Sequence, residues 1–298
     1  MPLIECIPNV SEGRRREVVD DAARALQAVD GVTLVDCTAD RAHNRSVFTL
    51  VGDLTPLELA VIALYERILP AVDLRTHRGE HPRIGAVDVV PFVPLEGAAM
   101  GDCVRLAERV GRLVADRFGV PVFLYEQAAR SPARRDLAAI RKGGFERLAA
   151  RMAAGFSPDF GPPAPHPSAG ASAIGARGPL VAFNVNLATD RIEVAASVAR
   201  AVRQSAGGLP AVNALGVRLA DRGIVQVSMN LTNYEETSIT RAFDAVRRGA
   251  ARYGVDVLES EIVGLAPSAA LDAETASAVR LAGHWAEKIL ENRLRARS

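Results

Sequence analysis

The sequence predicts an α+β protein made of two duplicated ferredoxin-like (βαββαβ) subdomains. Two runs of predicted elements carry this interpretation, because each reads strand, helix, strand, strand, helix, strand. The chain has 298 residues, and at about 150 residues per domain it is long enough for two separate cores. We therefore expect an N-terminal subdomain over residues 1–178 and a C-terminal subdomain over residues 179–298.

The first run of elements is marked by apolar, β-branched strands and by one clear helix start. Thr55, Pro56 and Glu58 give the order of cap, proline and acid that is typical of a first helical turn. A further helix, a short strand and two arginine-rich helical segments extend this run to residue 152. The predicted elements are a strand at 3–10, a helix to 29, strands at 32–37 and 46–51, a helix at 55–70, a strand at 87–93, a helix at 101–118 and a strand at 120–125.

Residues 155–179 break the pattern, since six prolines and five glycines fall in this stretch. Such a composition is not expected to continue a helix or a central strand, so it predicts a loop. The stretch is about twice the usual upper length of a structureless connection, which favours a functional loop over a simple linker.

The second run begins after this loop and ends in a predicted C-terminal helix. Its elements are a strand at 180–187, a helix at 190–205, strands at 213–219 and 224–231, a helix at 235–253, a strand at 255–263 and the helix at 269–295. Alternation along two of the strands places five uncharged polar side chains on one sheet face: Asn184, Asn186, Gln226, Ser228 and Asn230. That face suggests a surface that binds a neutral heterocycle. An ordinary solvated sheet face remains the alternative interpretation.

Composition excludes several classes of function. The 36 Lys+Arg and 35 Asp+Glu residues nearly balance, which argues against nucleic acid or an anionic membrane bound through charge alone. No uncharged apolar run reaches the roughly 18 residues of a membrane span, and the N-terminus does not resemble a signal peptide. Three widely separated cysteines are typical of reduced thiols. We expect a cytoplasmic protein that binds neither nucleic acid nor membrane.

The loop at residues 76–85 concentrates ionisable side chains just before a strand. His77 and His81 have the spacing of a helical zinc pair, but Gly79 and Pro82 disfavour a helix, and we expect no metal. A histidine suits acid–base catalysis, because its ordinary pKa of about 6.5 lies near neutrality. A purely structural histidine remains the alternative. His43, in the preceding loop, could approach an anionic ligand or only order its loop.

Segments spread along nearly the whole chain resemble the formiminotransferase domain. This domain forms the transferase part of formimidoyltransferase-cyclodeaminase and occurs alone in glutamate formimidoyltransferases; the resemblance implies that the cyclodeaminase half is absent. The matching stretches, in the order of the family, are ECIPNVSEG at 5–13, NRSVFTLVG at 44–52, GEHPRIGAVDV at 79–89, PDFGP at 158–162, GAR at 175–177 and AFNVNL at 182–187.

The resemblance implies two related subdomains with a folate-binding channel between them, usually in a homodimer. It also implies transfer of a formimino group between N-formimino-L-glutamate and tetrahydrofolate, a step of histidine degradation. Tetrahydrofolate is then the co-substrate, and no metal is needed. Two alternatives stay open: another donor, such as formiminoglycine, or a folate-binding module without catalytic activity.

The resemblance also assigns residues. The family's catalytic histidine falls on His81, as general acid and base. Its folate-binding stretch falls on Gly161, Pro162, Pro163, Ala164, Pro165, His166, Pro167, Ser168, Ala169 and Gly170. Weaker candidates for folate or substrate are Asn184, Asn186, Asn230, Arg45, Arg78, Arg83 and His43, the arginines because a guanidinium matches a carboxylate.

Three positions depart from the family pattern. Ala169 stands in place of a tryptophan that could stack on the folate. Thr38 replaces an acidic residue, and His43 replaces a small hydroxyl residue. The last two departures concern the amino-acid substrate more than the folate.

Overall fold

The structure is a computed structural model that describes residues 2–296. It divides between Arg177 and Gly178 into two compact units. Each unit combines helices with a β-sheet, so the predicted α+β class is confirmed.

The first unit follows the predicted element order, with additions at its end. Helix α2 begins before Thr55, because the Asp53 side chain caps it by accepting a hydrogen bond from the Leu54 N–H. In chain order the elements are β1 Ile4–Cys6, β2 Asn9–Val10, α1 Arg16–Gln27, β3 Val32–Asp40, β4 Arg45–Gly52, α2 Leu54–Ala71, β5 Val87–Pro94, α3 Met100–Phe118, β6 Val122–Glu126, α4 Leu137–Arg141, α5 Gly144–Ala153 and β7 Ser172–Ala176.

The sheet of the first unit runs β3, β4, β1 with β2, β5, β7, β6 from edge to edge. Strands β1 and β2 both pair with β4 and β5, so they act as one strand that is interrupted at Ile7 and Pro8. The pairings of β7 with β5 and with β6 are parallel, whereas the others are antiparallel.

Strand β7 corrects the prediction that residues 155–179 form a loop throughout. Ser172–Ala176 lies between β5 and β6, in the interior of the sheet. The prolines of the segment lie at residues 158–167 and at 179, so every residue of β7 keeps the N–H that pairing requires. The proline-rich composition describes only the part of the segment that precedes β7.

Helices cover both faces of this sheet. On one face, α1, α2 and α3 bury residues such as Leu26, Leu64 and Val110 in the main core. On the other face, α4 and α5 bury Ile140 and Leu148 in a smaller cluster with aromatic residues of β6. The loop at residues 76–85 leads from α2 into β5 and thus passes beside the strands β2 and β4.

The second unit is built on an antiparallel sheet with the strand order β11, β8, β10, β9. Helices α6 and α7 pack on one face through Val194, Val198 and Phe243. Its elements are β8 Val181–Leu187, α6 Ile192–Val202, β9 Val212–Leu219, β10 Ile224–Leu231, α7 Ile239–Ala251, β11 Val257–Val263, α8 Ala273–Ala278 and α9 Leu290–Arg295.

The predicted C-terminal helix at residues 269–295 is wrong. The structure has the short helices α8 and α9 and a 3₁₀ turn at Trp285–Lys288 instead. Arg280 and Gly283 adopt positive φ angles, which an α-helix cannot contain. The segment packs on the core of the second unit through Ile289.

Among residues 2–296, no helix is both long enough and apolar enough to span a bilayer.

Candidate functional site

A small cavity in the first unit brings together several residues singled out in the sequence. Its volume is about 10 Å³, roughly enough for one water molecule. The cavity joins the loop before β4 to the loop at residues 76–85. It is lined by Val10, Ser11, His43, Asn44, Arg45, His77, His81, Arg83 and Asp88.

His81 keeps one ring nitrogen unprotonated in this site. Its Nδ1 lies 2.8 Å from the Pro82 carbonyl oxygen, which can only accept, so Nδ1 carries the proton and Nε2 keeps its lone pair. Burial, followed by the positive charges of Arg45 and Arg141, holds the pKa of His81 well below its ordinary value. The imidazole is therefore neutral near pH 7 and can accept a proton at Nε2.

Arg45, the first residue of β4, orients His81 from the side. Its Nη1 lies 2.8 Å from Nε2 of His81 and is also in contact with Nδ1. Nε and Nη2 of the same guanidinium donate to Oδ1 of Asn9. Burial, followed by the charge of Arg141, lowers the pKa of Arg45 to about 9. Arg45 thus remains charged near neutral pH, and its positive charge disfavours protonation of His81.

His43 is paired with a carboxylate beside this site. Its Nδ1 lies 2.8 Å from Oδ2 of Asp40, and its backbone N–H donates to Oδ1 of Asp40 at 2.8 Å. Burial alone would raise the pKa of Asp40, but these contacts with His43 outweigh it and lower the pKa. The ring of His43 lies 6.0 Å from that of His81, centroid to centroid, in an edge arrangement.

His77 and Arg83 organise the loop. Nε2 of the buried His77 donates to the Asn44 carbonyl oxygen at 2.9 Å, and Nδ1 accepts from Nε of Arg83 at 2.8 Å. Arg83 also binds the carboxylate of Glu146, with Nη2 at 3.0 Å from Oε1. Both ring nitrogens of His77 are therefore occupied, and the guanidinium of Arg83 already has a carboxylate partner.

Protonation of His77 should weaken the fold. Burial lowers its pKa, the hydrogen bond to Asn44 opposes this, and the charge of Arg83 adds to the lowering. The unfolded chain therefore takes up a proton as the pH falls below about 6.5, whereas the folded chain takes it up only at lower pH. We expect the stability advantage of the wild type over His77→Gln to shrink between pH 7 and pH 5, by at most about 1.4 kcal/mol per pH unit. Urea unfolding of both proteins at a series of pH values measures this difference, and an advantage that is constant or grows would contradict the prediction.

Asn44 links three loops of the site and was not singled out in the sequence. Its Oδ1 accepts from the Gly13 N–H at 3.0 Å, and its Nδ2 donates to the Arg78 carbonyl oxygen at 2.9 Å. Its φ of 48° lies in the left-handed region, which asparagine tolerates better than most residues. In the sequence it appears only as the first residue of the matching stretch at 44–52, in the loop before β4.

A buried ion pair lies beside the small cavity. Oδ2 of Asp88 lies 2.5 Å from Nη2 of Arg141, and Oδ1 of Asp88 accepts from the N–H groups of Ile84 and Gly85. The side chains are 3% and 12% exposed, respectively. The sequence did carry a signal for this pair: Asp88 is an acid inside the apolar strand at 87–93, and a buried carboxylate requires a partner. Its partner could not be identified, since Arg141 is 53 positions away.

Arg78 does not line the small cavity with His81. It lines a second, larger cavity. This cavity has a volume of about 360 Å³ and shares Asn44 and His77 with the small one. The remaining lining residues are Glu12, Arg14, Arg15, Ala71, Val72, Asp73, Thr76 and Arg78.

The predicted folate stretch has an exposed part and an anchored part. Residues 161–164 are exposed, whereas His166–Gly170 forms a closed turn in which His166 and Gly170 exchange two backbone hydrogen bonds. The Ala86 N–H donates to the Ala169 carbonyl oxygen, which ties this turn to the loop that carries His81. The Ala169 side chain is buried in the main core, so a side chain at this position does not lie on an open surface.

The closed turn requires glycine at position 170. Its φ is +70°, and a Cβ there would lie 2.0 Å from the carbonyl oxygen of Ile84. Gly119 is a matched control, because its φ of +64° is similar while a Cβ added there would meet no atom within 4 Å. We expect Gly119→Ala to cost about 1–2 kcal/mol from backbone strain, and Gly170→Ala to cost about 1–3 kcal/mol more because Ile84 must move. Equal midpoints of urea unfolding for the two variants would contradict this.

The sequence suggested that the polar face of the second unit is uncharged, but the structure places two acidic side chains on it. Glu259 and Glu261 of β11 lie on it, because β11 pairs with β8. Asn186 and Asn184 donate to Glu259 and Glu261 at 3.1 and 3.0 Å. Gln226 donates to Oδ1 of Asn186 and to Oε1 of Glu261. Asn230, by contrast, is exposed.

Among residues 2–296, no group of three or more His, Cys, Asp and Glu side chains is arranged to hold a metal ion.

Comparison with known proteins identifies one family along nearly the whole chain. The family model of the formiminotransferase domain, N-terminal subdomain, matches residues 3–177, and the model of the formiminotransferase domain matches residues 182–282. A glutamate formimidoyltransferase of Thermoplasma acidophilum is 46% identical over 297 residues, which cover 99% of this chain and 98% of the relative.

Two further relatives support the same assignment. A glutamate formimidoyltransferase of Streptococcus pyogenes is 46% identical over 270 residues and 90% of each chain. The formimidoyltransferase-cyclodeaminase of Sus scrofa is 40% identical over 276 residues, which cover 90% of this chain and 51% of the relative. With both subdomain models matched and relatives of this similarity, the chain belongs to the formiminotransferase family.

Proposed function

We propose that this protein is a transferase that moves a formimino group between N-formimino-L-glutamate and tetrahydrofolate, giving 5-formiminotetrahydrofolate and L-glutamate. Membership of the formiminotransferase family carries the proposal, because relatives of similar length are named for this activity. Tetrahydrofolate is then a co-substrate, and the reaction belongs to histidine degradation.

We assign the acid–base role to His81. N5 of tetrahydrofolate attacks the amidine carbon, and a tetrahedral intermediate forms. The proton of N5 must leave, and the departing glutamate nitrogen must gain one. The lone pair on Nε2, which Arg45 contacts at 2.8 Å, and the neutral state of His81 support its role as the base.

The positive charges around His81 support an anionic substrate at this site. Arg45 is charged near neutral pH and lies against Nε2 of His81. A substrate carboxylate near Arg45 would oppose its effect on the imidazole and make His81 a stronger base. We propose Gly161–Gly170 as a folate-binding loop, since its closed turn is tied to the His81 loop. Asn184 and Asn186 stay weaker candidates for the pterin ring.

The proposal extends to architecture and setting. The strand orders of the two sheets support two duplicated ferredoxin-like subdomains, with extra strands β6 and β7 in the first. We further propose that the protein is cytoplasmic and forms a homodimer, as is usual in the family. Sedimentation of the purified protein tests the dimer.

The deciding experiment titrates the purified protein with tetrahydrofolate and then adds formiminoglutamate. We expect saturable binding followed by formation of 5-formiminotetrahydrofolate. A parallel reaction with formiminoglycine tests the donor. Product from formiminoglycine alone would overturn the glutamate assignment, and binding without any product would indicate a folate-binding module.

A further inference from the structure

We propose that His43, oriented by Asp40, is a second acid–base group of the formimino transfer and donates the proton that the departing glutamate nitrogen takes up. This inference rests on the proposed function and deepens it. The reaction needs two proton transfers, one from the attacking nitrogen and one to the departing nitrogen. With two histidines, each performs one of them, whereas a single histidine would have to perform both in turn.

The first support is the way in which Asp40 holds His43. One carboxylate oxygen binds Nδ1 of the ring at 2.8 Å, and the other accepts from the backbone N–H of His43 at 2.8 Å. Two contacts from one carboxylate fix both the ring and its loop. The acceptor at Nδ1 keeps a proton there, so Nε2 is the nitrogen left for exchange.

The second support is the position of His43 relative to His81. Both rings line the small cavity, with their centroids 6.0 Å apart and their planes at 72°. The attacking nitrogen and the departing nitrogen are bonded to the same carbon in the intermediate. Two hydrogen bonds of about 3 Å each could therefore join these nitrogens to two rings at this separation.

The third support is the difference in charge around the two rings. His81 is neutral and lies beside the guanidinium of Arg45, whereas His43 lies beside a carboxylate. The guanidinium opposes a proton on His81, whereas the carboxylate accepts a hydrogen bond from Nδ1 of His43. Two groups whose surroundings differ in this way are suited to act as base and acid in one reaction.

The proton balance of the transfer closes with these two groups. N5 of tetrahydrofolate forms a bond to the amidine carbon and loses its proton to Nε2 of His81. The bond from that carbon to the glutamate nitrogen breaks, and this nitrogen takes a proton from Nε2 of His43, which enters the step protonated on both ring nitrogens and leaves it with the proton on Nδ1. His81 then holds one additional proton and His43 lacks one. After the products leave, the small cavity has roughly the volume of one water molecule, which can return the proton from His81 to His43 and restore both rings.

The test compares His43→Gln, Asp40→Asn and the control His284→Gln, which changes an exposed histidine of the second unit. Rates are measured with saturating substrates from about pH 5.5 to about pH 9, a range that brackets the titration of an imidazole. We expect His43→Gln to lower kcat by about 10²-fold, to keep the Kd of tetrahydrofolate within twofold, and to lose the decrease in rate at alkaline pH. Asp40→Asn should also lower kcat, because the pairing that orients the His43 ring is weakened. His284→Gln should match the wild type.

The pH profile is interpreted against all titratable groups near His43. These are Asp40, its partner, and the residues Arg45, His77, His81, Arg83 and Asp88 around the shared cavity. The same groups are present in the wild type and in His43→Gln, so a lost alkaline decrease belongs to His43. Imidazole added to His43→Ala should restore part of kcat, which a purely structural role would not allow.

A kcat of His43→Gln within threefold of the wild type would overturn the inference, as would a lower kcat with an unchanged alkaline decrease. If His43→Gln does not fold, Asp40→Asn decides, and a kcat within threefold of the wild type then refutes the role. Turnover of formiminoglutamate by the wild type tests the proposed function separately, so the two proposals fail in distinguishable ways.

Discussion

Replacing His81 by glutamine should lower kcat by about 10²–10⁴-fold and leave tetrahydrofolate binding nearly unchanged. The Nε2 lone pair of His81 is the proposed proton acceptor, and a glutamine amide offers no basic nitrogen in its place. Steady-state rates at saturating substrate give kcat, and a fluorescence titration gives the Kd of tetrahydrofolate. The control is His284→Gln, which should retain wild-type values.

The pH dependence of the wild type adds a second check on His81. Its pKa lies well below the ordinary value, so the basic form persists as the pH falls through about 6.5. Because kcat/KM reports the free enzyme, we expect no loss of kcat/KM from His81 near that pH. Wild-type turnover in His81→Gln would contradict the catalytic role, and a Kd raised in step with the lost activity would point to folate binding instead.

Replacing Asp88 by alanine should destabilise the first unit by about 3–5 kcal/mol. Arg141 would keep a buried charge without its carboxylate partner, and the N–H groups of Ile84 and Gly85 would lose their acceptor. Urea unfolding monitored by circular dichroism measures the loss through the shift in midpoint at constant m value.

The matched control for Asp88→Ala is Glu58→Ala, which breaks the ion pair between Glu58 and Arg109. That pair is more exposed, at 21% for Glu58 and 50% for Arg109, so its removal should cost less than about 1 kcal/mol. The double variant Asp88→Leu with Arg141→Met should recover part of the stability, because no unpaired charge stays buried. Similar losses in Asp88→Ala and Glu58→Ala would show that the buried pair contributes little.

Much of the fold could be predicted from local patterns. The order of strands and helices follows from apolar periodicity, and the Asp53 cap moved the start of α2 by only one residue from the predicted position. Strand β7 was missed because composition was averaged over a long stretch, which concealed a short segment free of proline. The C-terminal segment was misread because apolar spacing is similar in one long helix and in several short turns.

The site was only partly predictable, for a physical reason. The loop of His81 could be identified from its own residues and from the family resemblance. Its supports come from distant parts of the chain: Asn44 reaches Gly13 and Arg78, and Asp88 reaches Arg141. Such pairs are formed only when the sheet and α4 assemble. The acids on the polar face of the second unit were missed for the same reason, since their strand β11 follows the others but pairs with β8.

The interior position of β7 has a consequence for biosynthesis. A ribosome releases β5 and β6 long before Ser172–Ala176 emerges, so the nascent first unit holds two strands whose shared neighbour is still missing. Unpaired strand edges invite wrong association. Completion of this sheet therefore waits for the last residues before the boundary at Arg177, and the segment that leads into β7 is the one proposed to hold folate.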